Sequence, residues 1–94
     1  MDKLAFTGSA ATGRKVMAAC AETLTPVVIE GGGKDAFLVD ADADLDSAVD
    51  QAVFGAMGNA GQTCAGVERI YVHQDVRDAF VHKFTAKVRA LTPG

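Results

Sequence analysis

Cys64 is the residue whose type and surroundings point most directly to covalent chemistry. It lies in the stretch NAGQTCAG, residues 59–66, where no apolar neighbour is larger than alanine, so a substrate would have room to reach the sulfur. A thiolate is a strong nucleophile, and the N–H group of the same residue can donate to an oxyanion. Neither His73 nor His82 lies within eight residues, and we interpret them as strand and surface residues. The residues alone leave open whether Cys64 is a nucleophile or an ordinary thiol in a loop.

Glu30 is the second candidate, because its carboxylate ends an apolar strand and precedes three glycines. The stretch VVI before it is β-branched throughout, which is typical of a strand covered on both faces. In open α/β sheets, ligands bind in the crevice beyond the carboxyl ends of such strands. The alternative is a glutamate whose carboxylate accepts hydrogen bonds from N–H groups of the glycine turn. The residues alone do not separate these two interpretations.

The stretch GSAATGRK, residues 8–15, invites comparison with the phosphate loop of nucleotide triphosphatases. Gly8 and Gly13 fit that pattern, but Arg14 takes the place of the lysine, and Val16 offers no hydroxyl group for magnesium. A triphosphatase is therefore not predicted. The remaining signal is a strand, a turn and a helix N-terminus that directs free N–H groups at an anion. Most such turns only cap a helix, so this signal is weak by itself.

Acidic and cysteine residues do not form a predicted metal site. Five aspartates lie between Asp35 and Asp46, but the turn-forming glycine and terminal glutamate of a calcium loop are missing. We interpret the run as a solvated loop followed by a helix start. Cys20 and Cys64 are too few and too far apart for a disulfide framework or a zinc site. We therefore predict no bound metal.

Charge and hydropathy exclude two classes of partner. Nine basic residues stand against twelve acidic ones, a formal net charge of −3, which gives no overall attraction to nucleic acid or to an anionic membrane. The N-terminal residues MDKLAFTGS show no signal peptide, and no apolar run is long enough to span a bilayer. We predict a cytoplasmic protein without nucleic-acid or membrane partners.

The elements that would position these residues alternate between strand and helix. Strands are predicted at KLAFT, VVI, AFLV and VERIYVH, and helices from Ala11 to about Leu24, from Leu45 to near Gly58, and from Val76 to Leu91. The order β-α-β-β-α-β-α predicts an α/β fold.

Three details of these elements can be checked against the structure. The first helix has a buried stripe of Val16, Cys20 and Leu24. The last strand is expected to place Val67 on one face with Arg69, Tyr71 and His73. The last helix buries a stripe and ends at Pro93 and Gly94; the stripe consists of Val76, Phe80, Phe84, Val88 and Leu91.

The three stretches FTGSAATGRKV, TPVVIEGGGKD and FGAMGNAGQTCAGVERIYV resemble the NAD(P)-dependent aldehyde dehydrogenase superfamily in order and spacing. The likeness spans the whole chain. The motifs Glu-x-Gly-Gly-Lys and Gly-Gln-x-Cys, whose glutamate and cysteine are 34 residues apart, make it specific. Among the subfamilies, the sequence most resembles the broad-substrate and succinate-semialdehyde types.

The resemblance implies roles for the candidate residues. Cys64 would be the nucleophile that attacks the aldehyde carbon, and Glu30 would be the base that activates water to hydrolyse the thioester. Gly31 would lie near the nicotinamide through its backbone. NAD or NADP would be the cofactor, and its phosphates would lie against the turn and helix start formed by Thr7, Gly8, Ser9, Ala10, Ala11, Thr12 and Gly13.

The resemblance also implies a division of the chain and a limit on its activity. Residues 1–33 would end a Rossmann-type coenzyme-binding domain, and residues 34–94 would begin a catalytic domain, as a single compact unit or an incomplete fragment. The chain resembles about one fifth of a family subunit, so we expect it to be inactive by itself and to self-associate or to need the remainder of a larger subunit. The identity of the aldehyde is left open.

Two glycines depart from the family pattern. Family members usually carry leucine where Gly31 stands and a bulky residue where Gly58 stands, so two packing side chains near the site are replaced by hydrogen. This departure favours an alternative function, a small non-catalytic interaction or structural protein derived from the same fold. The retention of Ser9, Glu30 and Cys64 together favours the enzyme.

Overall fold

The computed structural model describes residues 1–92, which form two compact units, one from Met1 to Gly33 and one that begins at Lys34. The observed order of the main elements is β-α-β-β-α-β-α, which confirms the α/β prediction. The predicted end of the last helix at Pro93 and Gly94 lies outside the described residues.

The first unit is a β-α-β crossover. Strands β1 (Leu4–Thr7) and β2 (Val27–Glu30) pair in parallel, from Leu4 opposite Val27 to Thr7 opposite Glu30. A parallel pair needs a long connection between its strands, and helix α1 (Ala10–Ala21) provides it. Helix α1 packs closely on the strands, since a Cβ added at Gly13 would lie 3.1 Å from Ile29.

Helix α1 ends earlier than its apolar periodicity predicts. Cys20 is buried as expected, but Leu24 is 89% exposed and has a left-handed φ of 53°, so its place on the buried stripe was predicted wrongly. The N–H of Thr25 donates to the carbonyl oxygen of Cys20 (3.0 Å), and the N–H of Leu24 donates to that of Ala21 (3.3 Å). These two bonds form a Schellman motif, in which the left-handed residue stops the helix. Pro26 therefore follows a helix that has already ended.

Strand β2 is covered on one face only, which corrects the prediction for VVI. Val27 and Ile29 are half-buried, whereas Val28 is exposed. The first unit contains one helix and two strands, and a single helix covers only one face of such a pair.

The second unit repeats the crossover and adds a helix. Strands β3 (Asp35–Val39) and β4 (Val67–Val72) are parallel, and helices α2 (Leu45–Met57) and α3 (Arg77–Arg89) pack on one face of the pair. The core of this unit comprises Val39, Val49, Ala52 and Phe80. The opposite face of the sheet is open, with Leu38 76% and Tyr71 53% exposed.

An irregularity at the start of β4 changes which way Val67 faces. Asp35 pairs with Val67, but Ala36 pairs with Arg69, so Glu68 is an extra residue in the ladder. Such an extra residue interrupts the alternation of faces. Val67 consequently packs against α2, where a Cβ added at Gly55 would lie 2.8 Å from its side chain. The prediction that Val67 shares a face with Arg69 and Tyr71 is wrong.

Helix α3 is held against α2 by apolar packing and by two ion pairs. Phe80 is 2% exposed, and Phe84 stacks on it with ring centroids 5.7 Å apart. The helix ends at Arg89, so Leu91 lies beyond it and is exposed, contrary to the predicted stripe. At the surface, Lys83 pairs with Asp46 and Lys87 pairs with Asp50.

One residue of the acidic segment, Asp44, caps the N-terminus of α2. The carboxylate of Asp44 accepts hydrogen bonds from the N–H groups of Asp46 (3.0 Å) and Ser47 (3.3 Å), which caps the helix. The hydrogen bond from Lys83, together with its positive charge, lowers the pKa of Asp46. Within residues 1–92, no three acidic, cysteine or histidine side chains are grouped as metal ligands. None of the helices in this range has the length and apolar composition needed to cross a bilayer.

We expect the second unit to depend on Phe80 for its stability. Phe80→Ala should lower the free energy of unfolding by about 3–5 kcal/mol, because it removes a buried ring and leaves a cavity. Val81→Ala, at the exposed neighbouring position, is the matched control and should change it by less than about 0.5 kcal/mol. Urea titrations followed by circular dichroism measure both values. Equal losses in the two variants would contradict this account of the core.

Candidate active site

The segment before Cys64 has an unusual backbone that the sequence analysis did not foresee. Asn59, Ala60 and Gly61 all have left-handed φ values, of 51°, 56° and 73°. The side-chain amide of Asn59 donates to the carbonyl oxygen of Gln62 (2.8 Å), and the N–H of Gln62 donates to that of Asn59 (3.0 Å). Asparagine and glycine adopt this conformation readily, whereas at Ala60 it costs on the order of 1 kcal/mol. In the sequence, Asn59 and Gly61 are the residue types that could have indicated this left-handed conformation.

Cys64 lies on a tight turn that directly follows this segment. The N–H of Gly66 donates to the carbonyl oxygen of Thr63 (3.2 Å), so Cys64 and Ala65 occupy the two central positions. A side chain at Gly66 would collide with Thr63, since a Cβ there would lie 2.9 Å from the threonine methyl group. Cys64 is a free, exposed thiol, as the predicted loop position requires. The turn therefore leaves the thiol accessible to solvent.

A groove borders the turn on the side of α2. Its volume is about 330 Å³, and its lining residues are Phe54, Gly55, Gly58, Asn59, Thr63 and Ala65. Thr63 and Ala65 flank Cys64 in the chain, so the groove adjoins the cysteine turn. None of the six lining side chains is ionisable. Such a groove suits an uncharged organic group.

Among the residues that the structure describes, neither histidine is hydrogen-bonded to this turn. His73 follows β4, and its Nδ1 accepts a hydrogen bond from the N–H of Asp75 (3.3 Å). The backbone N–H of His73 donates to the carbonyl oxygen of Val39 (2.8 Å), which continues the pairing of β3 with β4. His82 is exposed on α3. Both positions agree with the interpretation of these histidines as strand and surface residues.

Glu30 is the last residue of β2, in the first unit. Its carbonyl oxygen accepts a hydrogen bond from the N–H of Gly8 (3.1 Å), which fixes the strand end. Its carboxylate is exposed, and no hydrogen bond among residues 1–92 occupies it. The alternative in which this carboxylate binds N–H groups of the glycine turn is therefore not what the structure shows. A carboxylate without partners is available to accept a proton from water.

The start of α1 lies beside Glu30 and carries hydrogen-bond donors. Ser9 caps the helix by accepting the N–H of Thr12 (3.2 Å), and the N–H of Gly13 donates to the carbonyl oxygen of Ser9 (2.8 Å). In the part of the chain that the structure describes, the N–H groups of Ala10 and Ala11 have no protein acceptor, and the first turn contains no acidic side chain.

Gly8 lies close to the ring of Phe6 in the turn before this helix. A Cβ at Gly8 would lie 2.7 Å from that ring, so a side chain there would require the ring to move. Free N–H donors, a helix dipole and a first helical turn without acidic side chains suit a phosphate group.

The residues predicted to bind the coenzyme thus lie together with Glu30 in the first unit, and Cys64 lies in the second. Thr7 is the pairing partner of Glu30, and Gly8 bonds to it, so segment 7–13, Glu30 and Gly31 lie at one edge of the first unit. A Cβ at Gly31 would meet no atom within 4 Å, so its backbone is open to a ligand. Cys64 and its groove belong to the second unit.

Comparison with known proteins identifies the family. The sequence model described as "Aldehyde dehydrogenase family" matches residues 1–94. A glutarate-semialdehyde dehydrogenase of Pseudomonas aeruginosa is 48% identical over 92 residues, which cover 98% of this chain and 19% of that protein.

Solved structures agree with this result. The crystal structure of a succinate-semialdehyde dehydrogenase from Burkholderia pseudomallei is 46% identical, with a TM-score of 0.94 over 100% of this chain and 20% of its own. PnpE, solved in complex with nicotinamide adenine dinucleotide, is 37% identical, with a TM-score of 0.93 over 97% of this chain and 19% of its own. The chain spans about one fifth of the length of these relatives. It belongs to the aldehyde dehydrogenase family.

Proposed function

We propose that this chain carries the catalytic cysteine, the catalytic glutamate and part of the coenzyme site of an enzyme that oxidises an aldehyde to a carboxylic acid with NAD or NADP. The observation that carries the proposal is the exposed, free thiol of Cys64 on a turn beside an uncharged groove. Membership of the aldehyde dehydrogenase family supports it. The activity is proposed for a protein that contains this segment, because the segment matches about a fifth of the relatives.

Cys64 performs the first bond-forming step. Its thiolate sulfur bonds to the carbonyl carbon of the aldehyde, and the electron pair of the C=O bond moves to the oxygen. The N–H of Cys64 is one donor that can stabilise the resulting oxyanion. Loss of a hydride, one proton with two electrons, from the same carbon then leaves an acyl group bound to sulfur as a thioester. The oxidised form of NAD or NADP would supply the hydride acceptor when bound.

Glu30 performs the proton transfer that releases the product. Its carboxylate takes a proton from a water molecule while the water oxygen bonds to the thioester carbon. The bond between carbon and sulfur breaks, Cys64 returns to the thiolate, and the carboxylic acid leaves. The absence of any hydrogen bond to this carboxylate among residues 1–92 supports a role as proton acceptor.

The coenzyme would be held by the edge of the first unit. Ala10 and Ala11 would donate their free N–H groups to a phosphate, Gly8 and Ser9 would shape the turn, and Gly31 would approach the nicotinamide through its backbone. Thr7, Thr12 and Gly13 complete the segment. Residues 1–33 would accordingly end a coenzyme-binding domain, and residues 34–94 would begin a catalytic domain. The free cysteines agree with a cytoplasmic location.

A second candidate is a non-catalytic interaction protein built from the same fold. The open face of the β3–β4 sheet favours it, because parallel sheets are normally covered on both faces. Leu38 and Tyr71 are paired neighbours on that face, and both are exposed. In the enzyme, the remainder of a longer subunit would cover this face. In the alternative, another protein or a second copy would cover it.

The reactivity of the two cysteines tests whether Cys64 lies in an open site. Iodoacetamide should modify Cys64 at least about tenfold faster than Cys20, because reaction at a buried thiol requires local opening of α1. Mass spectrometry of peptides after timed quenching gives both rates. Cys64→Ser should leave only the slow modification, and equal rates at the two cysteines would remove the case for an open nucleophile.

A chimera tests the catalytic roles. Residues 1–94 would replace the matching segment of the Pseudomonas aeruginosa glutarate-semialdehyde dehydrogenase, and absorbance at 340 nm would report reduced coenzyme. We expect turnover in the chimera, and a loss of roughly 10⁴-fold or more on Cys64→Ser. Glu30→Gln should lower steady turnover by about 10²-fold to 10⁴-fold while keeping an initial burst of one equivalent.

Two controls complete this experiment. Cys20→Ala should leave turnover nearly unchanged, because that thiol is buried in α1. The isolated chain should form no measurable NADH from propanal and NAD, since it supplies only part of the site. Undiminished turnover after Cys64→Ser would contradict the nucleophile, and the absence of a burst with Glu30→Gln would contradict the separate role of the glutamate.

Sedimentation distinguishes the partner proposals. The two-stranded sheets leave edges and one face open, so we expect the isolated chain to self-associate at high concentration. Leu38→Lys with Tyr71→Lys should weaken this association if the open face is involved, and Leu24→Lys, at an exposed site in the first unit, is the control. A monomeric profile of the unmodified chain at high concentration would contradict self-association.

A further inference from the structure

Glu68 is the extra residue in β4, and its carboxylate is paired with Lys34. In the ladder of β3 with β4, the pairing on β4 passes from Val67 directly to Arg69. The carboxylate of Glu68 accepts a hydrogen bond from the ammonium group of Lys34, the residue that precedes β3. The ion pair therefore ties the irregular start of one strand to the start of the other.

The residue types around this irregularity explain why it forms. Val67 faces α2, where a Cβ added at Gly55 would lie 2.8 Å from its side chain, and Glu68 is exposed. In a regular strand, the alternation from Ile70, which packs against the core, would turn Glu68 toward α2 and Val67 to the open face. That register would bury a charge and expose an apolar side chain, and both changes are unfavourable. The extra residue keeps Glu68 at the surface, within reach of Lys34.

The irregularity directly follows the turn that carries Cys64. The N–H of Gly66 closes this turn by donating to the carbonyl oxygen of Thr63 (3.2 Å), and Gly66 is two residues before Glu68. A β-bulge bends its strand and increases the local twist, and bulges beside active sites re-aim a side chain. The direction in which the chain leaves the turn is therefore set by the bulge at Glu68.

The ion pair is better suited to a local effect than to a general one. The side chains of Lys34 and Glu68 are 59% and 43% exposed. Ion pairs at such exposure contribute little to the stability of a whole fold. Their effect is felt where the backbone is irregular and has few other restraints, which here means the bulge and the turn before it. The pair of Lys87 with Asp50 is similarly exposed but joins two regular helices, so it provides a comparison.

We propose that Glu68, held by Lys34, is a positioning residue for Cys64, because it fixes the bulge from which the cysteine turn takes its direction. The inference rests on the proposed function for the role of Cys64 as the nucleophile. Both residues act through the backbone of the turn. Two measurements test the proposal, one on the motion of the turn and one on its consequence for turnover.

Hydrogen exchange followed by mass spectrometry measures the motion of the turn. In Glu68→Lys, a peptide covering residues 61–69 should exchange about fivefold faster, the factor that corresponds to about 1 kcal/mol, the upper end for an exposed ion pair. Lys34→Glu should have the same effect. The double variant, in which the two charges are exchanged, should return the rate to within about twofold of the original. Peptides from α2 should exchange at the original rate in all three.

Turnover of the chimera measures the consequence for Cys64. Glu68→Lys should lower kcat by about threefold to tenfold, because a displaced sulfur is less well aligned with the aldehyde carbon. The KM for the coenzyme should change by less than about twofold, since the residues proposed to bind it lie in the first unit. The double variant of Lys34→Glu with Glu68→Lys should restore kcat.

The matched control alters the other ion pair. Asp50→Lys should speed exchange in α2 and α3 and leave the peptide of residues 61–69 and kcat unchanged. Recovery of both readouts in the double variant of Lys34 and Glu68 supports the proposal.

Three results would overturn this role of Glu68. They are unchanged exchange of the turn in Glu68→Lys, an equal acceleration of the turn and of α2, and an unchanged kcat despite faster exchange. The proposed oxidation would fail differently, through undiminished turnover after Cys64→Ser, and the exchange rates do not depend on that result.

Discussion

The parallel pairing of adjacent strands is the constraint on which the candidate coenzyme edge depends. Two parallel strands must be joined by a crossover, and their carboxyl ends then meet at one edge. In the first unit, this requirement places the turn after β1 beside the end of β2. The N–H of Gly8 donates to the carbonyl oxygen of Glu30, so the helix start and the carboxylate are neighbours although 22 residues separate Gly8 from Glu30 in the sequence. A helix start with free N–H groups and an exposed carboxylate are thus products of one topology.

The turn that carries Cys64 is positioned by different means. Cys64 lies between α2 and β4, and three left-handed residues followed by a tight turn connect those elements. The core of Val39, Val49, Ala52 and Phe80 fixes both α2 and the sheet, so the connection between them has a defined span. Glycine is required in this connection by backbone conformation at Gly61 and by close approach at Gly66. At Gly58, by contrast, a Cβ would meet no atom within 4 Å.

The sequence predicts the order of elements well because apolar periodicity is an averaged property of many residues. It fails where a single hydrogen-bonding arrangement decides the outcome. Leu24 keeps the spacing of the buried stripe, yet a Schellman motif ends the helix before it. Val67 keeps the alternation of its strand, yet an extra residue at Glu68 reverses its face. Leu91 keeps the stripe of the last helix, but α3 ends at Arg89.

The candidate site was likewise predicted from the sequence only in part. The residue types and the motif spacing predicted Cys64, Glu30 and the helix start, and the structure makes each of them accessible. The left-handed backbone at Asn59 and Ala60 could not be read from apolar patterns, although the residue types Asn and Gly hinted at it. The contrast between Gly58 and its neighbouring glycines required coordinates, because the sequence does not say which glycine meets another atom.

The central proposal is that the carboxylate of Glu30 and the sulfur of Cys64 serve one reaction. The most direct measurement mixes aldehyde and oxidised coenzyme with the chimera, quenches it in acid at timed intervals and weighs the peptide that contains Cys64 by mass spectrometry. The account predicts that an acyl group accumulates on Cys64 in Glu30→Gln and disappears at least about a hundredfold more slowly than in the unmodified chimera. Equally fast loss of the acyl group in both proteins, or no acyl group on Cys64, would contradict it.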